Sequence, residues 1–221
     1  MRSTWLSRAG VGCALLAAVL TVLVVSRWGP LVSYDEQLAR DLHPYAVTHP
    51  GVTHLVRVFS DWIWDPWTMR ALAALACLWL WRRGDRSRAV RVGAATLVAS
   101  GVQQGLKALT GRARPVWPDP VDSAQYAAYP SGHAMTAAVV CGLLLWVLPA
   151  KVPRAVAGAA WAVAAVSVLG VGFTRLYLGV HWFSDVLAGW LLGAALVSLA
   201  AFRHACSRRS PASPRADGPA R

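Results

Sequence analysis

Residues 174–202 read TRLYLGVHWFSDVLAGWLLGAALVSLAAF. From residue 183 onward Asp185 is the one ionisable side chain in an otherwise mainly apolar run. This run has the length of roughly 20 residues that a helix needs to cross a membrane. Arg175 and His181 stand immediately upstream. The stretch therefore predicts a transmembrane helix that begins beside a cluster of ionisable side chains.

Five further apolar stretches precede this one, each bounded by charged or Pro/Gly-bearing breaks: 9–26, 64–81, 89–109, 131–148 and 154–173. The first also reads as a signal peptide, but its length and the lack of a small-x-small cleavage pattern favour a retained anchor. The sequence thus predicts an all-α integral membrane bundle of six transmembrane helices over residues 1–206. The Ser-, Pro- and Arg-rich tail, 207–221, is predicted to be a disordered cytoplasmic end.

The composition excludes two classes of protein. The chain is 56% hydrophobic and 14% charged, with a net charge of +12, whereas soluble domains usually carry about 25% charged residues. A disordered basic chain would lack the apolar content. Nucleic acid is not a predicted partner, because the arginines are split among short loops between apolar spans and form no basic face on a soluble fold.

The distribution of Lys and Arg predicts the orientation. With six spans both termini lie on one side, and the termini and loops of that side hold most of the Lys and Arg residues. The positive-inside rule makes this side cytoplasmic. We expect a multi-pass protein of the plasma membrane, of bacterial type from its short N-terminus and Arg/Ala-rich composition, with its polar clusters at the extracytoplasmic face.

The longest predicted outer segment, 28–61, contains Val52, Leu55, Val56 and Phe59 at helical spacing. This spacing predicts a short amphipathic interfacial helix between the first two spans. The same segment carries three histidines, His43, His49 and His54, at spacings of six and five, which do not place the imidazoles on one helical face. No metal site is predicted there.

The first polar cluster is Lys107, Arg112, Arg114 and Pro115 at the end of the third span. Pro115 ends the helix, which allows Arg114 to turn back toward the bundle. Ordinary flanking cations are the alternative, but such cations are scarce at outer flanks. Arg112 is expected to touch a lipid headgroup or solvent.

The second cluster is Pro130, Ser131, Gly132 and His133, directly before an apolar run. Ser131 is suited to cap the helix, and Gly132 allows an anion to approach the free amides of the first turn. A capped helix with an incidental histidine explains this cluster equally well.

The third cluster contains Thr174, Arg175, His181 and Asp185. His181 and Asp185 share one helical face, so the carboxylate can accept a hydrogen bond from one imidazole nitrogen and leave the other unprotonated. That arrangement suits a nucleophile or general base. A buried ion pair that only ties two helices together is the alternative.

Taken together, the three clusters suit phosphate chemistry: cations hold the oxygens, one histidine attacks, and the other protonates the departing oxygen. No carboxylate cluster suited to Mg²⁺ accompanies them, so we expect neither a metal nor a cofactor.

These residues form a recognisable pattern: Lys107 and, after six residues, Arg114-Pro115; then 130–133; then Thr174-Arg175, five residues, His181, three residues and Asp185. The pattern resembles the signature of the type 2 phosphatidic acid phosphatases, or lipid phosphate phosphatases. The resemblance implies that His181 is the nucleophile that forms a phosphohistidine and that Asp185 orients it.

By the same resemblance His133 would protonate the leaving group, and Lys107, Arg114 and Arg175 would bind the phosphoryl oxygens. Ser131 and Gly132 would complete the phosphate-binding site. Thr174 stands where the family usually has serine; its hydroxyl keeps phosphate contact available.

The function implied is hydrolysis of a lipid phosphate or diphosphate at the outer leaflet. Phosphatidate, phosphatidylglycerophosphate and undecaprenyl diphosphate are the candidate substrates. Membrane lipids are the other expected partners; protein partners are not predicted. A phosphotransferase on the same scaffold is the alternative, while a catalytically silent membrane protein is disfavoured by the intact His133, His181 and Asp185.

Overall fold

The computed structural model describes residues 2–149 and 151–207, with side chains for 7–149 and 151–202. Within these residues the chain is helical and has no strand. The α-helices are α1 Arg2–Val25, α2 Gly29–Thr48, α3 Pro50–Val58, α4 Pro66–Arg82, α5 Arg86–Thr110, α6 Gly132–Val147, α7 Arg154–Tyr177 and α8 Phe183–Ser207. A π-helical turn, Phe59–Ile63, follows α3. The tail predicted for 207–221 lies, from residue 208, outside the described residues.

Each of the six predicted spans coincides with a helix, namely α1, α4, α5, α6, α7 and α8. Three stretches are long and apolar enough to cross a membrane: Ser7–Val25, Arg154–Tyr177 and Phe183–Phe202, with mean hydropathies of 2.2, 2.0 and 1.8. α6 is apolar but has only 16 residues. The prediction of an all-helical membrane protein is thereby confirmed, and the count of six spans stays a prediction.

The segment between α1 and α4 is more regular than the sequence predicts. Instead of a loop with one short amphipathic helix, it contains α2, which is 20 residues long, and then α3. Pro30 fits the first turn of α2 because that position has no helical partner for its nitrogen. In α3, Val56 is buried whereas Val52 and Leu55 are exposed, so part of the predicted apolar stripe faces outward.

α6 is the central helix of the bundle. It contacts α4, α5, α7 and α8, and most of its side chains are buried. The outer helices instead expose apolar side chains, such as Val22 on α1, Leu97 on α5 and Val163 on α7. Extensive exposed apolar surface is typical of a protein that contacts lipid.

Two glycines four residues apart let α8 lie directly against α6. A Cβ atom added at Gly189 would come within 2.9 Å of the Met135 nitrogen and the Ser131 carbonyl oxygen, both backbone atoms. A Cβ at Gly193 would come within 2.6 Å of the Ala138 Cβ. Small residues at this spacing allow close helix approach in membranes. The close approach positions the first turn of α8 beside the first turn of α6.

We expect Gly189→Ala to lower the free energy of unfolding by about 1–3 kcal/mol, because the new methyl group meets backbone that cannot move aside. Thermal unfolding in detergent measures the effect. Gly158→Ala on α7 is the matched control, since nothing lies within 4 Å of its added Cβ. Equal melting temperatures for the two variants would contradict the close packing.

Candidate active site

The three polar clusters meet at one end of the bundle. α5 and α7 finish there with Lys107 and Arg175 in their last turns, and α6 and α8 begin there with His133 and Asp185 in their first turns. Successive helices run in opposite directions, so sites more than 60 residues apart in sequence become neighbours. The three clusters therefore share one end of the bundle, and the outward orientation of this end stays a prediction.

A cavity of about 560 Å³ lies among these helix ends. Six of the predicted site residues line it: Lys107, Arg114, Gly132, His133, Arg175 and His181. Sequence reasoning did not assign the other polar residues of its wall to the site: Asp61, Asp65, Arg70, Gln103, Gln104, Asp122, Ser123, Gln125 and Tyr126. The wall therefore combines four cations and three carboxylates with two imidazoles, and the cations are in excess by one.

His181 is almost fully buried yet lines this cavity. Its Nδ1 lies 3.3 Å from Oδ2 of Asp185, which also accepts a hydrogen bond of 2.9 Å from the Trp182 amide. Its Nε2 lies 3.1 Å from Nη1 of Arg114. Because a guanidinium only donates, Nε2 must accept, and the proton resides on Nδ1. This is the tautomer that the sequence argument requires.

The surroundings of His181 also keep its ring neutral. Burial lowers the pKa of the imidazole well below its ordinary value, and the neighbouring positive charges, Arg114 first among them, lower it further. A neutral ring retains a lone pair on Nε2, as nucleophilic attack demands.

Arg112 lies inside the protein and not at a lipid headgroup or in solvent, so the expectation for this residue is wrong. Its guanidinium bonds to Oδ1 of Asp185 at 2.6 Å, to Oδ2 of Asp35 at 2.8 Å and to the Ser184 hydroxyl at 2.7 Å. Asp35 also accepts hydrogen bonds from Ser184. The buried carboxylates of α2 and α8 need a shared cation, and Arg112 supplies it.

Lys107 and Arg114 are held by the loop that connects α5 to α6. The Lys107 ammonium donates to the Ala127 carbonyl. Arg114 donates to the carbonyls of Gln125, Tyr126 and Val180. Burial, followed by repulsion from Arg175, lowers the pKa of Arg114 to about 10, so the group stays charged at neutral pH. Both cations are thus fixed before any ligand arrives.

Arg175 contacts acidic side chains that sequence reasoning missed. It donates to the Ser60 hydroxyl at 2.7 Å and lies 3.6 Å from the carboxylates of Asp61 and Asp122. Burial raises the pKa of Asp61, and the negative charge of Asp122 raises it further. No local pattern signals these pairs, because they join segments far apart in the chain.

Of the three remaining predicted site residues, Ser131, Gly132 and Thr174, only Gly132 lines the cavity. Ser131 caps α6, accepting from the Ala134 amide, and its own amide donates to the Asp185 carbonyl. A Cβ at Gly132 would come within 2.7 Å of the side-chain amide nitrogen of Gln103, so a larger residue there would displace the Gln103 side chain. The Thr174 hydroxyl donates to Val171 in its own helix and is not among the cavity-lining groups.

The family model of the PAP2 superfamily matches residues 88–206, more than half of the chain. The chain belongs to the PAP2 superfamily. This match confirms the resemblance that the three motifs indicate, and it covers every motif residue from Lys107 to Asp185.

Several curated proteins are similar to parts of this PAP2 chain. An undecaprenyl-diphosphatase of Sulfolobus acidocaldarius is 38% identical over 30% of this chain and 28% of its own length. Phosphatidylglycerophosphatase B of Bacillus subtilis is 35% identical over 42% of this chain and 47% of its own length. The matched segments thus span less than half of each of these two relatives.

One solved structure has a similar fold along almost the whole chain. It is a transmembrane PAP2-type phosphatidylglycerolphosphate phosphatase from Bacillus subtilis, with a TM-score of 0.69 and 22% identity. The match covers 91% of this chain and 97% of that one. The PAP2 chain therefore shares its helical membrane fold.

We expect Arg112→Gln to lower the free energy of unfolding by about 3–5 kcal/mol, because it leaves two buried carboxylates without their common cation. Thermal or denaturant unfolding in detergent measures the loss. Arg40→Gln is the control: the exposed Arg40–Glu36 pair on α2 contributes at most about 1 kcal/mol. A variant at Arg112 as stable as the Arg40 control would refute the role of this contact.

Proposed function

We infer that the chain is a membrane-embedded lipid phosphatase that hydrolyses a lipid phosphate or diphosphate through a phosphohistidine. The observation that carries this proposal is the geometry of His181: Nδ1 faces Asp185, Nε2 accepts from Arg114, and the ring lines a cavity shared with cations and a second histidine. The activities named for the two curated relatives, on a lipid diphosphate and on phosphatidylglycerophosphate, support the same class.

In the proposed first step, Nε2 of His181 attacks phosphorus and the bond from phosphorus to the leaving oxygen breaks. The negative charge of the bound phosphate offsets the surrounding cations and favours the protonated form of His133, which lines the same cavity. This protonated ring gives its proton to the leaving oxygen. Lys107, Arg114 and Arg175 neutralise the charge on the remaining phosphoryl oxygens. Asp185 stabilises the proton on Nδ1 while positive charge develops on the ring.

In the second step, water attacks the phosphohistidine. His133, now neutral, takes a proton from this water, the nitrogen–phosphorus bond breaks, and inorganic phosphate leaves. His181 returns to its neutral form and His133 to its protonated form. Transfer to an acceptor other than water would follow the same path with an alcohol in place of water.

Six spans, cytoplasmic termini and a site at the outer leaflet of a bacterial plasma membrane complete the proposal. The excess of Lys and Arg in the loops opposite the cavity supports this orientation. The cavity reaches exposed side chains such as Trp67 and Tyr126, so an amphiphile can present its phosphate while its tails stay in lipid.

The test is phosphate release by detergent-purified protein from phosphatidate, phosphatidylglycerophosphate and undecaprenyl diphosphate, with a chelator present. We expect His181→Ala to abolish release and His133→Ala to lower kcat by about 10²–10⁴-fold. No release above the His181→Ala level from any substrate would refute the phosphatase function. Release only when a divalent metal is supplied would refute the metal-free step, and transfer of phosphate to added alcohol would identify a phosphotransferase.

Orientation is tested by labelling introduced cysteines in intact cells with an impermeant maleimide. Val116→Cys, in the exposed loop beside the cavity, should react from outside. Ser87→Cys, at the opposite end of the bundle, should react only after lysis. The reverse pattern would invert the proposed topology.

A further inference from the structure

Arg70 is a cation of the cavity that the three motifs do not include. It lies on α4, is half-buried, and lines the cavity together with Gln103 and Gln104 of α5. Its guanidinium carbon lies 5.2 Å from the centroid of the Trp67 ring. Within the part of the chain that the structure describes, it has no hydrogen bond or ion pair, and its Nε is buried without an acceptor.

The other cations of the cavity already have protein partners. Lys107 and Arg114 donate to backbone carbonyls, and Arg175 donates to Ser60. Asp65, five residues before Arg70, uses its carboxylate to accept from the amides at the start of α4. A buried donor without an acceptor costs free energy unless a ligand supplies one. The donors of Arg70 are therefore free for an anionic group in the cavity.

We propose that Arg70 binds the second phosphate group of a lipid diphosphate while the terminal phosphate lies at His181. This assignment rests on the phosphatase function proposed above. The planar guanidinium fits two phosphate oxygens at once, and its cation–π contact with the Trp67 ring favours its position in the wall. The amide of Gln104, which is exposed in the same wall, adds further donors.

The chemistry of a diphosphate explains what this second contact contributes. As Nε2 of His181 bonds to the terminal phosphorus, the bond to the bridging oxygen breaks and that oxygen keeps the electron pair. The leaving group is then a lipid monophosphate, and Arg70 stabilises its increased negative charge. A phosphomonoester has no second phosphate, and its leaving oxygen takes a proton from His133. Arg70 thus favours diphosphates over monoesters.

The experiment compares a polyprenyl diphosphate with the monophosphate of the same polyprenol on one preparation of full-length protein. We expect Arg70→Gln to lower kcat/KM for the diphosphate by about 10- to 100-fold, the effect of losing charge-assisted hydrogen bonds. The value for the monophosphate should stay nearly unchanged, which also shows that the variant is folded. Arg70→Lys keeps the positive charge but loses the two parallel N–H donors of the guanidinium. Its kcat/KM for the diphosphate should lie between the values of the wild type and Arg70→Gln.

Arg83→Gln is the matched control, because Arg83 also makes a cation–π contact, 4.7 Å from the centroid of the Trp79 ring, but at the opposite end of α4. This variant should have the wild-type kcat/KM for both substrates. A wild-type chain inactive on both substrates would refute the phosphatase function itself. An active wild type whose Arg70→Gln variant loses both activities equally, or loses neither, would overturn only the role of Arg70.

Binding gives a second measurement. Pyrophosphate should raise the melting temperature of the wild-type protein more than inorganic phosphate does, and Arg70→Gln should remove this difference while the effect of phosphate remains. Equal shifts with the two anions in the wild type would count against a second phosphate subsite.

Discussion

The Arg112 guanidinium contacts two buried carboxylates, Asp35 at 2.8 Å and Asp185 at 2.6 Å, and the arrangement of the cavity depends on this contact. A fully buried carboxylate is tolerated only when it is paired and hydrogen-bonded. Asp185 meets this condition and in turn orients His181, while its carbonyl accepts from the Ser131 amide at the start of α6. One network of ion pairs and hydrogen bonds thus joins α2, the loop after α5, α6 and α8 beside the His181 ring.

The six long apolar helices could be predicted because their sequence signal is local. Each is an apolar run ended by charged residues, Gly or Pro. α2 could not be predicted in this way. The residues it buries are Asp35, Ala39, His43 and Ala46, a mixture of small and ionisable side chains at helical spacing. No apolar stripe marks its inner face, so the sequence resembles a polar loop. The helix forms because its inner face pairs with charged and aromatic groups from elsewhere in the chain, such as Arg112 and Trp117.

The candidate site was predictable to a similar extent. The spacing of His181 and Asp185 on one helical turn is a local property, and so is the cap formed by Ser131. The partners of Arg112 and Arg175 are not local, since Asp35 and Asp61 lie 77 and 114 positions away along the chain. Burial of Arg112 could not be predicted for the same reason: flanking cations look alike in sequence, and only the fold shows which of them meets a carboxylate.

The hydrogen bond between Arg114 and Nε2 of His181 has a consequence for the resting molecule. The lone pair that would attack phosphorus is already engaged by a donor, so the ring is shielded until something competes for the guanidinium. In the proposed mechanism, the charged oxygens of a phosphate would compete for this hydrogen bond as phosphorus approaches the ring. An uncharged electrophile would not compete for the Arg114 guanidinium in this way. Selectivity for anions is in this sense built into the unliganded state, before any contact with the lipid part of a substrate is made.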